Sequence, residues 1–208
     1  MPNPNVELMY PVWAPISSEA DGSLPTYGAG RVVQEARSAN VTKEINNTPL
    51  YGDDRIVDDD NGMTGLTISF ESTGLSMEDR VAMLAEEVDS TDGQWEGDNA
   101  TPYGGFGYIR VMREDGVRKF EAYWILKVKF QEESQETATR EGNITWRTPT
   151  LNGRAAGMDV DGSGNIRFRK HKIFDSASAA KEWLNTKLNI TTTTTTTTET
   201  TTTETTGG

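Results

Sequence analysis

Apolar and polar side chains alternate along several parts of this chain, which predicts a fold built mainly from strands. Leu66, Ile68 and Phe70 alternate with hydroxyl-bearing or charged residues. This period of two is typical of a strand with one buried and one solvated face. Further strands are expected near residues 10–16, 32–45, 143–148 and 165–172.

Two longer runs, residues 107–114 and 118–130, are separated by Asp115-Gly116. This dipeptide favours a tight turn because it tolerates positive φ, so the two runs are predicted to form a long antiparallel hairpin. Strict alternation would place Trp124, Leu126, Val128 and Phe130 on one face and Tyr123, Ile125, Lys127 and Lys129 on the other. Both faces carry large apolar side chains, so both need cover.

Two segments have the 3.6-residue period of helices. The first spans residues 76–88, where Ser76 followed by Asp79 is a capping-box signature. Its apolar stripe is predicted to consist of Met77, Val81, Leu84, Ala85 and Val88. The second lies within residues 173–188, where Asp175 or Ser176 can cap the helix. Its apolar side is predicted to consist of Ala177, Ala180, Leu184 and Leu188, with Trp183 beside them. Each stripe needs a sheet or another partner to cover it.

These patterns predict a mainly β fold: an antiparallel β-sandwich or barrel with one flanking α-helix and a short C-terminal helix. The length suits one domain, residues 1–189, followed by a Thr-rich low-complexity tail, residues 190–208. The tail has no large apolar side chain after Ile190. It cannot offset the entropy of its own ordering, so we expect it to be disordered.

Charge and composition exclude several functions. The formal net charge is −12, from 32 acidic and 20 basic side chains. Such a surface repels phosphates, which disfavours DNA binding but suits a channel through which DNA passes without adhering. There is no Cys, so disulfides and thiolate metal sites are excluded. The N-terminus has no signal-peptide pattern and no stretch reaches membrane-spanning length, so we expect a soluble chain made in a cytoplasm.

The most informative segment for function is residues 47–62, predicted to be a long acidic loop because Pro49, Gly52 and Gly62 interrupt it. Its acidic residues are Asp53, Asp54, Asp58, Asp59 and Asp60, and its apolar residues are Leu50, Tyr51, Ile56 and Val57. A solvated loop does not need four apolar residues, which favours a contact with a neighbouring molecule. The alternative is a surface loop that folds back on its own domain. The aspartate spacing matches no known metal loop.

Residues 159–170 partly match an EF-hand calcium loop. The matching positions are Asp159, Asp161, Ser163, Gly164 and Ile166. The twelfth position, which should be a bidentate Glu, is Lys170, and Arg167 and Arg169 flank it. Losing the strongest ligand and gaining three cations favours a Gly-rich β-turn over a calcium site.

Catalytic signals are weak, and we expect neither an enzyme nor a bound cofactor or metal. The single histidine, His171, lies between Lys170 and Lys172 with no carboxylate beside it in sequence, so an exposed structural role is expected. The glycine cluster at residues 104–107 lacks the Lys-Ser/Thr of a phosphate-binding loop and is predicted to form a bend before the hairpin. Carboxylate pairs of the glycosidase type are defined by distance, and nothing in the sequence points to one.

Five segments, taken in order, resemble one family along most of the chain. They are YPVWAPI at residues 10–16, LYGDD at 50–54, the predicted helix at 76–88, the glycine-to-hairpin run at 101–130, and IFDSASAAKEWLNTKL at 173–188. Their order and spacing resemble those of the major tail proteins of long-tailed, non-contractile bacteriophages. The resemblance extends over roughly residues 8–188 and stops before the Thr-rich tail.

The resemblance implies a structural virion protein that closes into hexameric rings stacked as a tail tube. Such a tube forms around a tape-measure protein, meets tail terminator and distal tail proteins at its ends, and conducts genomic DNA into the host without specific binding. It is assembled in the host cytoplasm, becomes part of the virion tail and needs no membrane. By the same resemblance, the segment with Leu50 to Asp60 reaches a neighbouring subunit or ring.

A second function class remains open. The chain could be a monomeric extracellular β-module that binds a ligand or calcium and ends in a Thr-rich stalk. Possible N-glycosylation triplets occur at Asn40, Asn46, Asn99, Asn143 and Asn189. Without a signal peptide these triplets carry little weight, since a Thr-rich chain produces them by chance.

Overall fold

The protein is represented by a computed structural model that describes residues 5–33, 36–52, 55–89, 91–97, 100–132 and 148–191. For residues 5–6, 48–52 and 56–61 it describes the backbone only. Residues 143–147 of the strand expected at 143–148, and the tail from residue 192 onward, lie outside these ranges.

Within the described residues the chain forms thirteen strands and two helices. In order these are β1 (Asn5–Ser18), β2 (Thr26–Tyr27), β3 (Arg31–Val32), β4 (Ala36–Gly52), β5 (Arg55–Ser72), α1 (Met77–Leu84), β6 (Glu87–Asp89), β7 (Gly93–Trp95), β8 (Gly104–Glu114), β9 (Val117–Glu132), β10 (Thr150–Ala155), β11 (Met158–Asp159), β12 (Ile166–Arg167), β13 (Arg169–Phe174) and α2 (Ala177–Lys187).

One antiparallel sheet dominates the fold. Its strand order is β2-β1-β8-β9-β10-β5-β4, with β3 paired to β1 and β13 paired to β9. Two small ribbons, β6–β7 and β11–β12, lie outside this sheet. The predicted mainly β class with two helices is therefore confirmed.

The predicted hairpin is confirmed as β8 and β9 at the centre of the sheet. They pair from Glu114 and Val117 inward, and the turn residues Asp115 and Gly116 have φ of 49° and 82°. Positive φ at both positions is the geometry that matches the twist of two paired strands, which explains the choice of Asp-Gly.

The face assignment along β9 was wrong beyond Leu126. Gly104 pairs with Val128, whereas Phe106 pairs with Ile125, so β9 carries one extra residue opposite Gly105. This β-bulge reverses the alternation. Trp124 and Leu126 belong to one core cluster, and Val128 and Phe130 belong to the other. The reversal keeps Lys127 and Lys129 out of the core that Tyr123 and Ile125 enter.

The backbone groups freed at the bulge find partners. The Tyr27 hydroxyl donates to the Leu126 carbonyl oxygen at 2.6 Å and accepts from Trp124 Nε1 at 3.2 Å. Leu126 N donates to the Phe168 carbonyl oxygen at 3.1 Å, and Ala156 N donates to the Lys127 carbonyl oxygen at 3.0 Å. Burial raises the pKa of Tyr27, which keeps its hydroxyl a neutral donor.

Two hydrophobic clusters lie on opposite faces of the β8–β9 hairpin. The first cluster joins β1, β8 and β9 to β5, β10 and α1. Its largest fully buried members are Trp13, Leu66, Ile68, Phe70, Met83, Phe106, Ile125, Phe130 and Leu151. The second packs α2 on the other face through Ala180, Leu184 and Leu188. Each fully buried large side chain contributes about 1.5–3 kcal/mol, so both faces stabilise the hairpin.

Helix α1 begins where predicted but ends four residues early. Ser76 Oγ accepts a hydrogen bond from Asp79 N at 3.1 Å. Ala85 then takes φ of 60°, a left-handed conformation that stops the helix. Val88 lies in β6 and is exposed. The stripe assignment was therefore only partly correct: Leu84 packs against the core, but Met77 and Val88 are exposed. The buried positions of the helix are Met83 and an ion-paired Asp79.

Helix α2 matches its prediction. Ser176, one of the two proposed caps, accepts from Ala179 N at 3.3 Å. Ala180, Leu184 and Leu188 are fully buried against the sheet. The chain then continues through Ile190, which forms a parallel bridge with Gly30 and packs on the second cluster. Ile190 thus belongs to the folded domain, one residue beyond the predicted boundary.

The glycine cluster lies inside β8 and does not form the predicted bend. Gly104 and Gly105 pair with β1, where a Cβ on Gly104 would come within 2.5 Å of the Trp13 ring. A Cβ on Gly105 would meet Tyr27 and Leu188 at 2.5 Å. The glycines therefore allow large side chains to approach the strand backbone closely.

The Gly104→Ala variant should lower the stability of the protein by about 1–3 kcal/mol, because the new methyl group overpacks against Trp13 and the Ala14 carbonyl. The matched control is Gly74→Ala, where nothing lies within 4 Å of the added Cβ. Urea unfolding followed by circular dichroism measures both variants. Equal stabilities for the two would contradict the close approach.

Candidate assembly surface

The segment predicted as an acidic loop is the outer half of a long β-hairpin. β4 and β5 stay paired from Ala36–Ser72 to the Gly52–Arg55 pair at the end of the hairpin. β10 supports β5 only along residues 66–71. Residues 45–52 and 55–63, termed the arm, therefore have no third strand beside them within the described structure. The arm is about 25 Å long at 3.3 Å per residue.

The loop assignment was wrong because antiparallel pairing accommodates Pro49 and Gly62. Pro49 lies on β4 and pairs with Asp59 of β5. The other edge of β4 has no described partner, and Pro is tolerated on such an edge. Of the predicted site residues, Leu50, Tyr51 and Gly52 lie on β4, and Ile56, Val57, Asp58, Asp59 and Asp60 lie on β5. Asp53 and Asp54 lie outside the described residues, as do the side chains of the other eight.

Two strands of six or more residues pair along one edge only in the described residues. β4 pairs with β5 alone, and β13 pairs with β9 alone. Unpaired N–H and C=O groups along such an edge can accept a strand from another chain. The sequence of β13, RKHKIF, adds positive charge to its edge.

Three rings stack across adjacent strands of the sheet. Tyr123 on β9 lies directly opposite Tyr108 on β8 and His171 on β13. The Tyr108 and Tyr123 centroids are 5.1 Å apart with planes 15° apart, and those of Tyr123 and His171 are 5.4 Å and 10° apart. Tyr108 and Tyr123 belong to the first hydrophobic cluster.

A buried carboxylate lies next to this row. The Glu121 side chain is only 5% exposed. Its Oε2 accepts from Arg110 Nη2 at 2.5 Å, and its Oε1 lies 2.7 Å from His171 Nδ1. Burial raises the pKa of Glu121, but hydrogen bonds from Arg110, His171 and Tyr123 outweigh it and lower the pKa overall. Burial, with the hydrogen bond to Glu121, raises the pKa of Tyr123 to about 12.

His171 therefore has the carboxylate partner that the sequence did not indicate. Pairing of β13 with β9 brings together residues fifty positions apart, which no local pattern reveals. A histidine–carboxylate pair also occurs in hydrolytic triads, but there the ring contacts a nucleophile. Among the described residues His171 makes no hydrogen bond to a hydroxyl group. Together with Arg110, the pair joins β8, β9 and β13, and that is the role its contacts support.

The Gly-rich segment at 159–165 forms the turn between β11 and β12, as predicted. Asp159 accepts hydrogen bonds from the backbone N–H groups of Asp161, Gly162 and Gly164. Asp161 accepts from Ser163 N and pairs with Arg167 at 3.0 Å. These carboxylates thus stabilise the turn.

No protein-family model matches this chain, and no curated protein matches it. Neither helix in the described part of the chain is long and apolar enough to cross a membrane.

The lowered pKa of Glu121 predicts a specific pH dependence. Its carboxylate stays ionised to lower pH in the folded chain than in the unfolded chain. Its contribution to the free energy of unfolding is therefore fully present above its ordinary pKa and is lost as the pH falls through the pKa of the folded state. The melting temperature of Glu121→Gln should fall below that of the wild type at pH 7. The difference should shrink as pH falls from about 4.5 toward 3.

The control is Glu7→Gln, whose pair with Arg118 is about half exposed on both sides. Exposed ion pairs contribute little to stability, so the melting temperature of this variant should stay close to that of the wild type from pH 7 to pH 3. A Glu121→Gln difference that is constant from pH 7 to pH 3 would contradict the buried network.

Removing the turn carboxylate should have an effect that does not depend on calcium. Asp159→Ala loses three backbone hydrogen bonds and should be less stable by about 1 kcal/mol. Thermal melts with millimolar calcium and with a chelator should show the same loss. A calcium-dependent rise in melting temperature that disappears in the variant would favour a calcium-binding module.

Proposed function

We propose that the protein is a major tail tube subunit of a long-tailed, non-contractile bacteriophage. In this function it is a structural virion protein without catalytic activity or cofactor. Hexameric rings of the chain stack around a tape-measure protein, end at tail terminator and distal tail proteins, and conduct DNA into the host. The segments that carry the family resemblance are the basis of this proposal.

The observation that most supports the proposal is the arm. A two-stranded ribbon is marginally stable on its own in water, and a third strand or a packed face normally supports it. The arm has neither in the described residues, and its sequence includes Leu50, Tyr51, Ile56 and Val57. A neighbouring subunit or ring is the partner that would bury these residues.

Two further features agree with assembly. The unpartnered edges of β4 and β13 can be closed by neighbouring copies in a ring, as the family closes its sheets into a shared barrel. The first hydrophobic cluster draws on both β1–β8–β9 and β5–β10, which suits the proposed sandwich or barrel. The net charge of −12 would keep passing DNA from adhering to the tube.

The alternative, a monomeric calcium-binding module, has less support. Its best candidate ligands, Asp159 and Asp161, are engaged by backbone groups and Arg167. The two functions differ in a simple observation, because only a tube subunit forms rings or tubes.

Shortening the arm should abolish assembly and leave the fold intact. The variant replaces residues 49–59 with Asn-Gly, which joins the paired residues Thr48 and Asp60 by a two-residue turn. None of the residues described as members of the two hydrophobic clusters is removed, so stability should change by less than about 1 kcal/mol. Negative-stain microscopy and a circular dichroism melt of the same samples provide the measurement.

The wild type at high concentration, with and without tape-measure protein, is the reference. It should form rings or tubes, and the shortened variant should stay monomeric or form isolated rings. Tubes of normal length from the variant would show that the arm is not the contact. A wild type that remains monomeric under every condition would refute the tube function.

A further inference from the structure

A cleft of about 530 Å³ opens between β4 and the strands that carry the stacked rings. It is lined by Tyr108, Arg110, Tyr123 and Arg169 of β8, β9 and β13, by residues 39–41 of β4, and by Glu7 and Leu8 of β1. Both guanidinium groups lie near the Tyr123 ring, with Cζ at 5.2 Å for Arg110 and 5.4 Å for Arg169. The cleft therefore presents planar cations held against aromatic side chains.

The charges in this cleft are incompletely balanced. Arg110 pairs with Glu121, and Glu7 pairs with Arg118 at 3.0 Å. Arg169 has no ion pair within the described part of the chain. Arg110 Nε is buried and likewise has no hydrogen-bond partner there. An added carboxylate would satisfy a guanidinium group with two parallel hydrogen bonds.

The arm of the same molecule leads away from this cleft. Asn40 in the cleft wall and Thr48, which pairs with Asp60, lie on the same strand. An extended strand covers roughly 25 Å between them, and about 40 Å from Asn40 to the arm's end at Gly52. The carboxylates of the arm can therefore reach a cleft of this kind only on another copy.

The geometry points to this cleft as the receptor for the arm of a second copy of the chain, with the carboxylates of Asp58 to Asp60 meeting Arg169. This inference rests on the proposed tube function and adds the surface that receives the arm. Charge complementarity selects the occupant, because the arm carries an aspartate cluster and the cleft carries Arg169, which has no ion pair among the described residues. The contact would also place the arm's apolar residues near Tyr108 and Tyr123.

A charge-swap experiment tests the contact. Arg169→Glu should raise the concentration needed for ring or tube formation by about tenfold or more, because it places like charges together. Replacing Asp58, Asp59 and Asp60 with Lys should do the same. The chain that carries both sets of changes should assemble near the wild-type concentration. Light scattering and microscopy measure assembly, and circular dichroism checks each fold.

The matched control is Lys170→Glu, the same charge change on the next residue of β13. Lys170 is exposed and does not line the cleft. This variant should assemble like the wild type. Equal losses for Lys170→Glu and Arg169→Glu would show a general charge effect and overturn the inference. Normal assembly of Arg169→Glu would also overturn the inference, but it would not contradict the proposed tube function.

Crosslinking tests proximity directly, since the chain has no Cys of its own. A mixture of Asp59→Cys and Asn40→Cys chains, assembled and treated with a short bis-maleimide, should give a heterodimer. A mixture of Asp59→Cys and Lys170→Cys chains should give much less. Tubes that form without the first crosslink would refute the cleft as receptor. Failure of the wild type to assemble would refute both proposals.

Discussion

The fold depends on covering both faces of one hairpin, β8–β9. On one side the sheet brings β5 and β10 to a shared hydrophobic cluster, and on the other α2 packs over it. A single strand alternating strictly could not serve both clusters along its whole length, because Lys127 and Lys129 would then enter the core behind Tyr123 and Ile125. The bulge opposite Gly105 removes that conflict.

The bulge has consequences for distant parts of the chain. It leaves backbone groups that need partners, and these come from Tyr27, Phe168 and Ala156, which belong to three separate segments. Unsatisfied buried groups cost about 1–3 kcal/mol each, so these contacts fix where β2 and the segments around β11 and β12 lie. The glycines of β8 complete the arrangement by letting Trp13, Tyr27 and Leu188 approach the strand.

The sequence predicted the features that local chemistry determines. The Asp-Gly turn, the serine caps of both helices and the alternation of Leu66, Ile68 and Phe70 depend on residues close in sequence. Features that depend on long-range pairing were missed. The bulge in β9 and the Glu121–His171 contact appear only once β8 and β13 pair with β9. The arm was assigned as a loop because Pro and Gly were weighed without the partner strand that accommodates them.

The parallel bridge between Gly30 and Ile190 holds the last described residues of the chain against the domain. A Cβ on Gly30 would lie within 2.1 Å of the Leu188 carbonyl oxygen, so only glycine lets residues 188–190 pack there. A label or protein fused after Thr191 would therefore start from a defined position on the domain surface. In any ordered array of this chain, such cargo would repeat at the spacing of the subunits, which makes this end of the domain a natural place for display.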